Sequence, residues 1–217
     1  MTANAKNILT AVAAVLVIAG SAAWIYYREF KAPKHDVRLH WRIGEVLAEQ
    51  TSKLVGSNAH LVIIKIPTGA EPELKTQLEA FRRTLKKLGS YEIKEHELDT
   101  KDQPKYGLGA GLSGRRFVRT VKNNPNADAI VSFVGAPKLS DDEIAELTKS
   151  PKFIAETKSP EHLPKLFEKH LIQVAVASRF TFPAPGPQKP KTPQEWFERR
   201  YQILTADSAQ AIPAEEH

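Results

Sequence analysis

Apolar residues follow two alternating patterns along most of the chain. Short continuous runs, such as residues 61–66 (LVIIKI), are typical of strands buried on both faces of a parallel sheet. Stripes at helical spacing, such as Leu74, Leu78 and Phe81, predict helices with one apolar face. Strands are predicted at residues 61–66, 91–98, 129–134, 153–155 and 171–177, and helices at 36–55, 72–88, 114–121 and after Ser140 and Ser159.

Strands that alternate with helices predict an α/β fold of three layers, in which a doubly wound parallel sheet of about five strands has helices on both faces. Residues 91–98 (YEIKEHEL) alternate between polar and apolar types, which is typical of an edge strand. With that strand at one edge, the predicted strand order is 2-1-3-4-5.

The N-terminal region breaks the alternation with an uncharged run at residues 8–27. Twenty residues in a helix would extend about 30 Å, the thickness of the hydrocarbon core of a bilayer. Trp24 and the tyrosines that follow suit a membrane–water interface. We therefore predict an uncleaved signal anchor, which is a single transmembrane helix with an exported domain behind it. A cleaved signal peptide, with small residues at 21–23, is the alternative.

The C-terminal region has a different composition, with five prolines in residues 182–193 (FPAPGPQKPKTP). Thr192 and Glu195 form a capping-box pattern that predicts a helix carrying Trp196, Phe197 and Tyr201. These aromatic residues either dock on their own domain or contact a partner. The predicted division of the chain is a head (1–7), a transmembrane helix (8–27), a juxtamembrane linker (28–35), an α/β domain (36–181), a proline-rich linker (182–191), an aromatic helix (192–204) and a flexible tail (205–217).

Composition narrows the class of protein. A chain of 217 residues has room for one folded domain with appendages, and the absence of cysteine excludes disulfides and thiolate metal sites. The formal net charge is +6, and half of that excess lies within residues 1–34, beside the uncharged run. Because the remainder is nearly balanced, no nucleic-acid partner is predicted.

Two short segments are candidates for binding a ligand or an anion. Gly109, Gly111 and Gly114 match the spacing G-x-G-x-x-G and precede a predicted helix with Arg115, although about ten residues separate them from the preceding strand. Thr68 and Gly69 lie in the first strand–helix turn, where open parallel sheets bind ligands. No metal-binding histidine spacing, nucleophile elbow or P-loop is present, so we predict no enzyme, no metal and no cofactor.

Three stretches resemble one lobe of the periplasmic sugar-binding proteins and the related lactose-repressor-type cores. They are LVIIKIPTG with the helix EPELKTQLEAFRRTLKKLG, FVRTVKNNPNADAIVSFVGAP, and HLPKLFEKHLIQVAVASR. The resemblance covers about two-thirds of the chain and implies the fold. Family members clamp a solute between two lobes, whereas this chain has the length of one. Where the family has sugar-contacting Asn or Asp, this chain has residues 134–137 (VGAP) and 156–158 (ETK).

These observations predict a non-catalytic accessory subunit that docks an exported α/β lobe on a membrane or envelope complex. The alternative is a solute-binding or sensing subunit of a transport or signalling system. The predicted location is the bacterial inner membrane, with the lobe in the periplasm. The predicted partners are the membrane and other protein subunits, and a small-molecule ligand belongs to the alternative.

Overall fold

The computed structural model describes residues 3–26, 36–99, 112–147, 150–158, 162–179 and 190–211. The chain forms two compact units, Met1–His35 and Asp36–His217. The boundary between them coincides with the predicted start of the α/β domain.

The first unit contains one helix, α1 (Ala3–Ile25), whose side chains from Val12 onward are exposed. Within the described residues, no helix combines the length and the apolarity needed to cross a bilayer. The predicted transmembrane helix, and with it the signal anchor and the membrane as a partner, is therefore not supported. The helix itself is present, but it takes in Lys6 and ends two residues before the uncharged run does.

The second unit alternates strands and helices, as the apolar patterns predict. Its helices are α2 (Val37–Val55), α3 (Pro72–Leu88), α4 (Gly114–Lys122), α5 (Asp141–Ala145), α6 (Leu163–Glu168) and α7 (Pro193–Arg200). Its strands are β1 (Asn58–Lys65), β2 (Ser90–Glu97), β3 (Leu112–Ser113), β4 (Ala129–Ser132), β5 (Pro137–Lys138), β6 (Lys152–Thr157), β7 (Val174–Ser178) and β8 (Tyr201–Leu204).

The main sheet has six strands in the order β2-β1-β4-β6-β7-β8. The first five are parallel, so the predicted order 2-1-3-4-5 is confirmed for them. The polar strand β2 lies at one edge, as predicted. A separate parallel pair is formed by β3 and β5.

The sixth strand was not predicted. The helix expected over residues 192–204 ends at Arg200, and Tyr201–Leu204 instead pairs antiparallel with β7, with Tyr201 opposite Ser178. The backbone groups at the free side of β7 gain hydrogen-bond partners by this pairing, which outweighs a local preference for helix. A 3-10 helix at Ala206–Ala211 follows, where a flexible tail was predicted. Of the proline-rich linker, only residues 190 and 191 lie within the described part.

Local sequence signals explain where the two long helices begin. The Asp36 carboxylate accepts the Leu39 N–H and so caps α2, and Pro72 starts α3, where its missing N–H is not needed. The two helices pack closely because Gly44 has no side chain: a Cβ there would lie 2.1 Å from the Gln77 carbonyl oxygen.

Aromatic contacts identify the two covered faces of the sheet. Phe81 of α3 packs edge-to-face against Phe133, which follows β4, at 5.3 Å between ring centroids. Phe117 of α4 packs against Phe153 of β6 at 4.6 Å. Because side chains alternate along a strand, Phe153 and Glu156 of β6 point to opposite faces, and Glu156 therefore lies on the side away from α4.

Candidate functional site

The carboxyl ends of the parallel strands form the edge at which open α/β sheets bind ligands. Here β6 and β7 end at Thr157 and Ser178, and β8, which runs the other way, begins beside them at Tyr201. Polar side chains from α2, α3, β6, β7 and β8, together with Lys158 just after β6, are associated at this edge. We call them the carboxyl-edge cluster: His40, Glu73, Glu156, Lys158, Ser178 and Tyr201.

The central member of the carboxyl-edge cluster is Glu156, which is only 6% exposed. Its Oε1 atom has no hydrogen-bond partner within the described residues. Burial raises the pKa of Glu156 to about 7, and the nearby Glu73 raises it too, whereas Lys158 and a hydrogen bond from Tyr201 oppose that rise. A buried carboxyl oxygen without a partner is energetically unfavourable, so this atom has a strong preference for a hydrogen-bond donor.

Tyr201 reaches the carboxyl from the last strand of the sheet. It is 6% exposed, and burial together with the neighbouring Glu156 raises the pKa of its phenol. A hydrogen bond with Ser178, the residue opposite it on β7, acts against that rise. The phenol is thus held between β6 and β7 by polar contacts with both strands.

The helices supply the other side of the cluster. The Glu73 carboxylate in the first turn of α3 lies 3.7 Å from His40 Nε2 and 3.8 Å from Lys158 Nζ. His40 Nδ1 is 3.1 Å from the Gln77 side-chain amide, so both ring nitrogens have polar neighbours. Glu73 and Lys158 are partly exposed, with side-chain exposures of 38% and 49%, while His40 is buried. The carboxyl-edge cluster therefore has a buried end at Glu156 and a partly exposed end at the Glu73–Lys158 ion pair.

Among the residues proposed from sequence, Thr68 and Gly69 lie where expected, in a short 3-10 turn after β1. Thr68 is half-buried and Gly69 is exposed, with open space where a Cβ would project. Glu73 follows this turn at the start of α3. The turn is thus on the same edge as the carboxyl-edge cluster.

Gly114 and Arg115 are differently placed. Gly114 is buried at the start of α4, and a Cβ there would lie 2.2 Å from Glu143 Oε2. That carboxylate belongs to the capping box of α5, where it accepts the Ser140 N–H. An anion at the start of α4 would have to displace a group of the same charge. Arg115 is exposed, and Gly109 and Gly111 lie outside the described residues.

The three aromatic residues of the tail are covered to different extents. Phe197 is 3% exposed and stacks on Tyr201, with ring centroids 5.9 Å apart. Trp196 is partly buried, with the Arg200 guanidinium 5.1 Å from its ring. Phe197 and Tyr201 are thus buried against their own lobe, and a partner contact of the three aromatic residues stays a prediction.

Sequence reasoning missed the carboxyl-edge cluster as a site. The available signal was Glu156 itself, a carboxylate next to an apolar strand that was predicted to end at Ala155. The contribution of Tyr201 has no local signal, because β8 was expected to be helix, and that of His40 depends on how α2 packs against α3. Within the described ranges, no group of three or more His, Asp or Glu residues is arranged to hold a metal ion.

Comparison with known proteins was made by sequence and by structure. No protein-family model and no curated protein matches the sequence. The fold resembles AraP, an arabinose-binding protein from Geobacillus stearothermophilus, with a TM-score of 0.54, 15% identity, and coverage of 81% of this chain and 63% of AraP. It also resembles the XylFII–LytSN complex, with a TM-score of 0.50, 10% identity, and coverage of 78% of this chain and 60% of that one.

A third similar structure is a solute-binding protein of an ABC transporter from Burkholderia graminis C4D1M in complex with D-arabinose. It has a TM-score of 0.48, 21% identity, and coverage of 64% of this chain and 47% of that one. The matched part spans between about half and two-thirds of these solved chains. The likenesses to AraP and to the XylFII–LytSN complex show the fold alone: the unit Asp36–His217 is folded like one lobe of these proteins. The resemblance found in the sequence is confirmed at that level.

Proposed function

We propose that this protein is a non-catalytic solute-binding lobe that binds a small polyhydroxylated molecule, with sugars as the first class to test. The observation that carries the proposal is Glu156 Oε1, a buried acceptor without a partner in the described part of the chain, at the ligand-binding edge of the sheet. A sugar hydroxyl is a suitable donor for such an oxygen.

The surroundings of Glu156 support this proposal. Tyr201, Ser178 and Lys158 add hydroxyl and ammonium groups beside the carboxyl, and such a set of donors and acceptors suits a ligand with several hydroxyls. The fold is shared with AraP, an arabinose-binding protein. A single lobe would cover only one side of a solute, so we propose that the second side comes from another protein chain.

The XylFII–LytSN complex favours a second candidate function, which is the docking of the lobe on a protein partner. This accessory role differs from solute binding in needing no ligand at the carboxyl edge. We also propose an extracytoplasmic location, because the apolar N-terminal run has the composition of an export signal. Fusion of a reporter that is active only outside the cytoplasm tests the location.

The direct test of solute binding is thermal unfolding of the purified lobe with a panel of pentoses, hexoses and sugar acids, followed by calorimetry. A solute at 100 times its Kd stabilises the native state by about 2.7 kcal/mol, which a melting curve resolves. At pH 8, Glu156→Gln should weaken binding about tenfold or more, because hydrogen bonds to charged groups contribute about 1.5–3 kcal/mol.

The matched control is Glu92→Gln at the opposite end of the sheet, where the side chain is 80% exposed. It should leave the affinity unchanged. If no solute shifts the melting temperature while a protein subunit co-purifies with the lobe, the docking role replaces the proposal. If a solute binds equally well to Glu156→Gln and wild type, the lobe binds solutes but the carboxyl-edge cluster is not the site.

A further inference from the structure

The C-terminal segment, residues 190–211, adds a helix and the last strand of the sheet to one edge of the lobe. Its helix α7 contacts α2, where Arg42 Nε donates to Gln194 Oε1 at 2.7 Å. Its strand β8 pairs only with β7, since β8 is the last strand of the sheet. Arg179 joins the two parts: its backbone N–H donates to the Arg200 carbonyl at 2.8 Å, and its side chain donates to the Glu198 carbonyl.

Polar groups at this docking surface are incompletely paired. Glu156 Oε1 and Gln202 Nε2 are both buried without a hydrogen-bond partner in the described part of the chain. Gln202 is on β8 itself and, as the neighbour of Tyr201, points to the other face of the sheet. Glu156 lies two strands away on the same face as Tyr201, whose phenol reaches it. Withdrawal of β8 would take away the tyrosine that covers Glu156 and would let water reach the carboxyl.

We propose that the C-terminal segment is a pH-sensitive latch on the lobe, closed when Glu156 is protonated and loosened when Glu156 is ionised. A neutral carboxyl fits the buried site beneath β8, because its hydrogen-bonding needs are modest. An ionised carboxylate requires more donors than Tyr201 supplies, and it gains them from water when the segment opens.

The charged groups around Glu156 do not remove this dependence. Lys158 follows β6 and favours the ionised form, but its ammonium group is shared with Glu73 of α3, which has the opposite effect. His40 of α2 faces Glu73, and Arg200 of α7 acts on Tyr201. Burial is the largest influence and raises the pKa of Glu156 to about 7.

The sign of the effect follows from linkage. The docked state holds the Glu156 proton up to about pH 7, whereas a solvated glutamate releases it near 4.5. Between these values the open state gains population as the pH rises, and above about pH 7 both states are ionised and the equilibrium levels off. This latch concerns the same carboxyl as the solute site, but it stands whether or not a solute binds, because no ligand takes part.

Hydrogen–deuterium exchange of the ligand-free protein between pH 5 and pH 8.5 tests the latch, after correction for the intrinsic exchange rate at each pH. Peptides that cover β8 should lose protection about tenfold between pH 6 and pH 8 in wild type. Peptides that cover β1, in the centre of the sheet, exchange only through global unfolding and should stay better protected than β8 at every pH. In Glu156→Gln the β8 protection should be independent of pH.

Two further variants keep the test decisive. Glu92→Gln, far from the docking surface, should behave like wild type. Tyr201→Phe removes the hydrogen bond that favours the ionised carboxyl, so the loss of β8 protection should continue to higher pH before it levels off. The latch is refuted if Glu156→Gln keeps the wild-type slope, or if β8 and β1 have the same protection at every pH, since both would then open only by global unfolding. Should Glu156→Gln fail to fold, an unchanged levelling-off pH in Tyr201→Phe would refute it.

Discussion

The α2–α3 pair and the C-terminal segment are both packed on the same sheet, but by different kinds of contact. The pair buries large apolar side chains such as Leu47, Leu78 and Phe81, all at most 1% exposed, and its helices approach closely at Gly44. The C-terminal segment buries fewer apolar residues, and it covers a carboxyl that is incompletely hydrogen-bonded.

This difference shows how two regions on one sheet, the α2–α3 pair and the C-terminal segment, can differ in stability. Burial of apolar area stabilises the α2–α3 pair at any pH, because apolar side chains carry no charge to gain or lose. The C-terminal segment covers Glu156, whose charge state changes near neutral pH, so its contribution to stability depends on pH. The following predictions test this contrast, beginning with the largest expected effect.

Replacing Phe81 should have the largest effect on stability. The side chain is fully buried and contacts the ring of Phe133, so Phe81→Ala should lower the free energy of unfolding by about 3–5 kcal/mol. Denaturant unfolding at pH 5 and pH 8 measures the loss, which should be the same at both values. Phe81→Leu is the conservative control and should lose less. A loss below about 1 kcal/mol would place Phe81 outside the core that the structure describes.

The second prediction concerns the pH dependence contributed by Glu156. Its pKa is raised from 4.5 to about 7 on folding, so its contribution is complete below about pH 4.5 and is lost as the pH rises to about 7. The loss amounts to about 3 kcal/mol. Glu156→Gln, which stays neutral, should match wild type at low pH and exceed it in stability at pH 8. Equal stability curves for the two proteins would show that Glu156 titrates normally.

The contrast between the two regions also explains what the sequence could predict. The α2–α3 pair and the five parallel strands have local signals, namely apolar stripes and apolar runs, and these together with the polar pattern of residues 91–98 predicted the strand order. The strand β8 has none, since the residues that form it follow a well-capped helix directly. Its conformation depends on the free edge of β7, which is distant in sequence.

The same contrast between local signals and contacts that are distant in sequence applies to the candidate site. The turn at Thr68 and Gly69 was placed on the correct edge, because a strand–helix turn in a parallel sheet has a fixed location. The burial of Glu156 could not be predicted, since it results from strands and helices that converge from five parts of the chain. The transmembrane prediction rested on length and composition alone, without the helix boundaries that the structure provides.

The third prediction is a smaller effect at the docking surface. Tyr201→Phe removes the hydroxyl that bonds to Glu156 and leaves the ring in place. The expected loss of stability is about 1 kcal/mol at pH 5, where the carboxyl is neutral, and about 2 kcal/mol at pH 8, where the bond is charge-assisted. Chemical denaturation at the two pH values measures it. An equal loss of stability at both pH values would show that the hydrogen bond from Tyr201 does not depend on the charge of Glu156.

The fourth prediction compares matched helix caps in the two regions. The Asp36 carboxylate accepts the Leu39 N–H at 3.2 Å in α2, and the Thr192 hydroxyl accepts the Glu195 N–H at the same distance in α7. Each alanine replacement removes one cap, which contributes about 1 kcal/mol to its own helix. If the C-terminal segment opens separately from the rest of the lobe, the two replacements should differ in what they destabilise.

Asp36→Ala should lower the free energy of global unfolding and with it the protection of β1, but not that of β8, because α2 stays folded when only the C-terminal segment opens. Thr192→Ala should lower the protection of α7, β8 and β1 alike, because its cap is lost both in the smaller opening and in global unfolding. Exchange measured at pH 8, where Glu156 is ionised, gives the greatest sensitivity. If Asp36→Ala reduced the protection of β8 as much as that of β1, the segment and the lobe would unfold as a single unit, and the difference between the two regions would be one of composition alone.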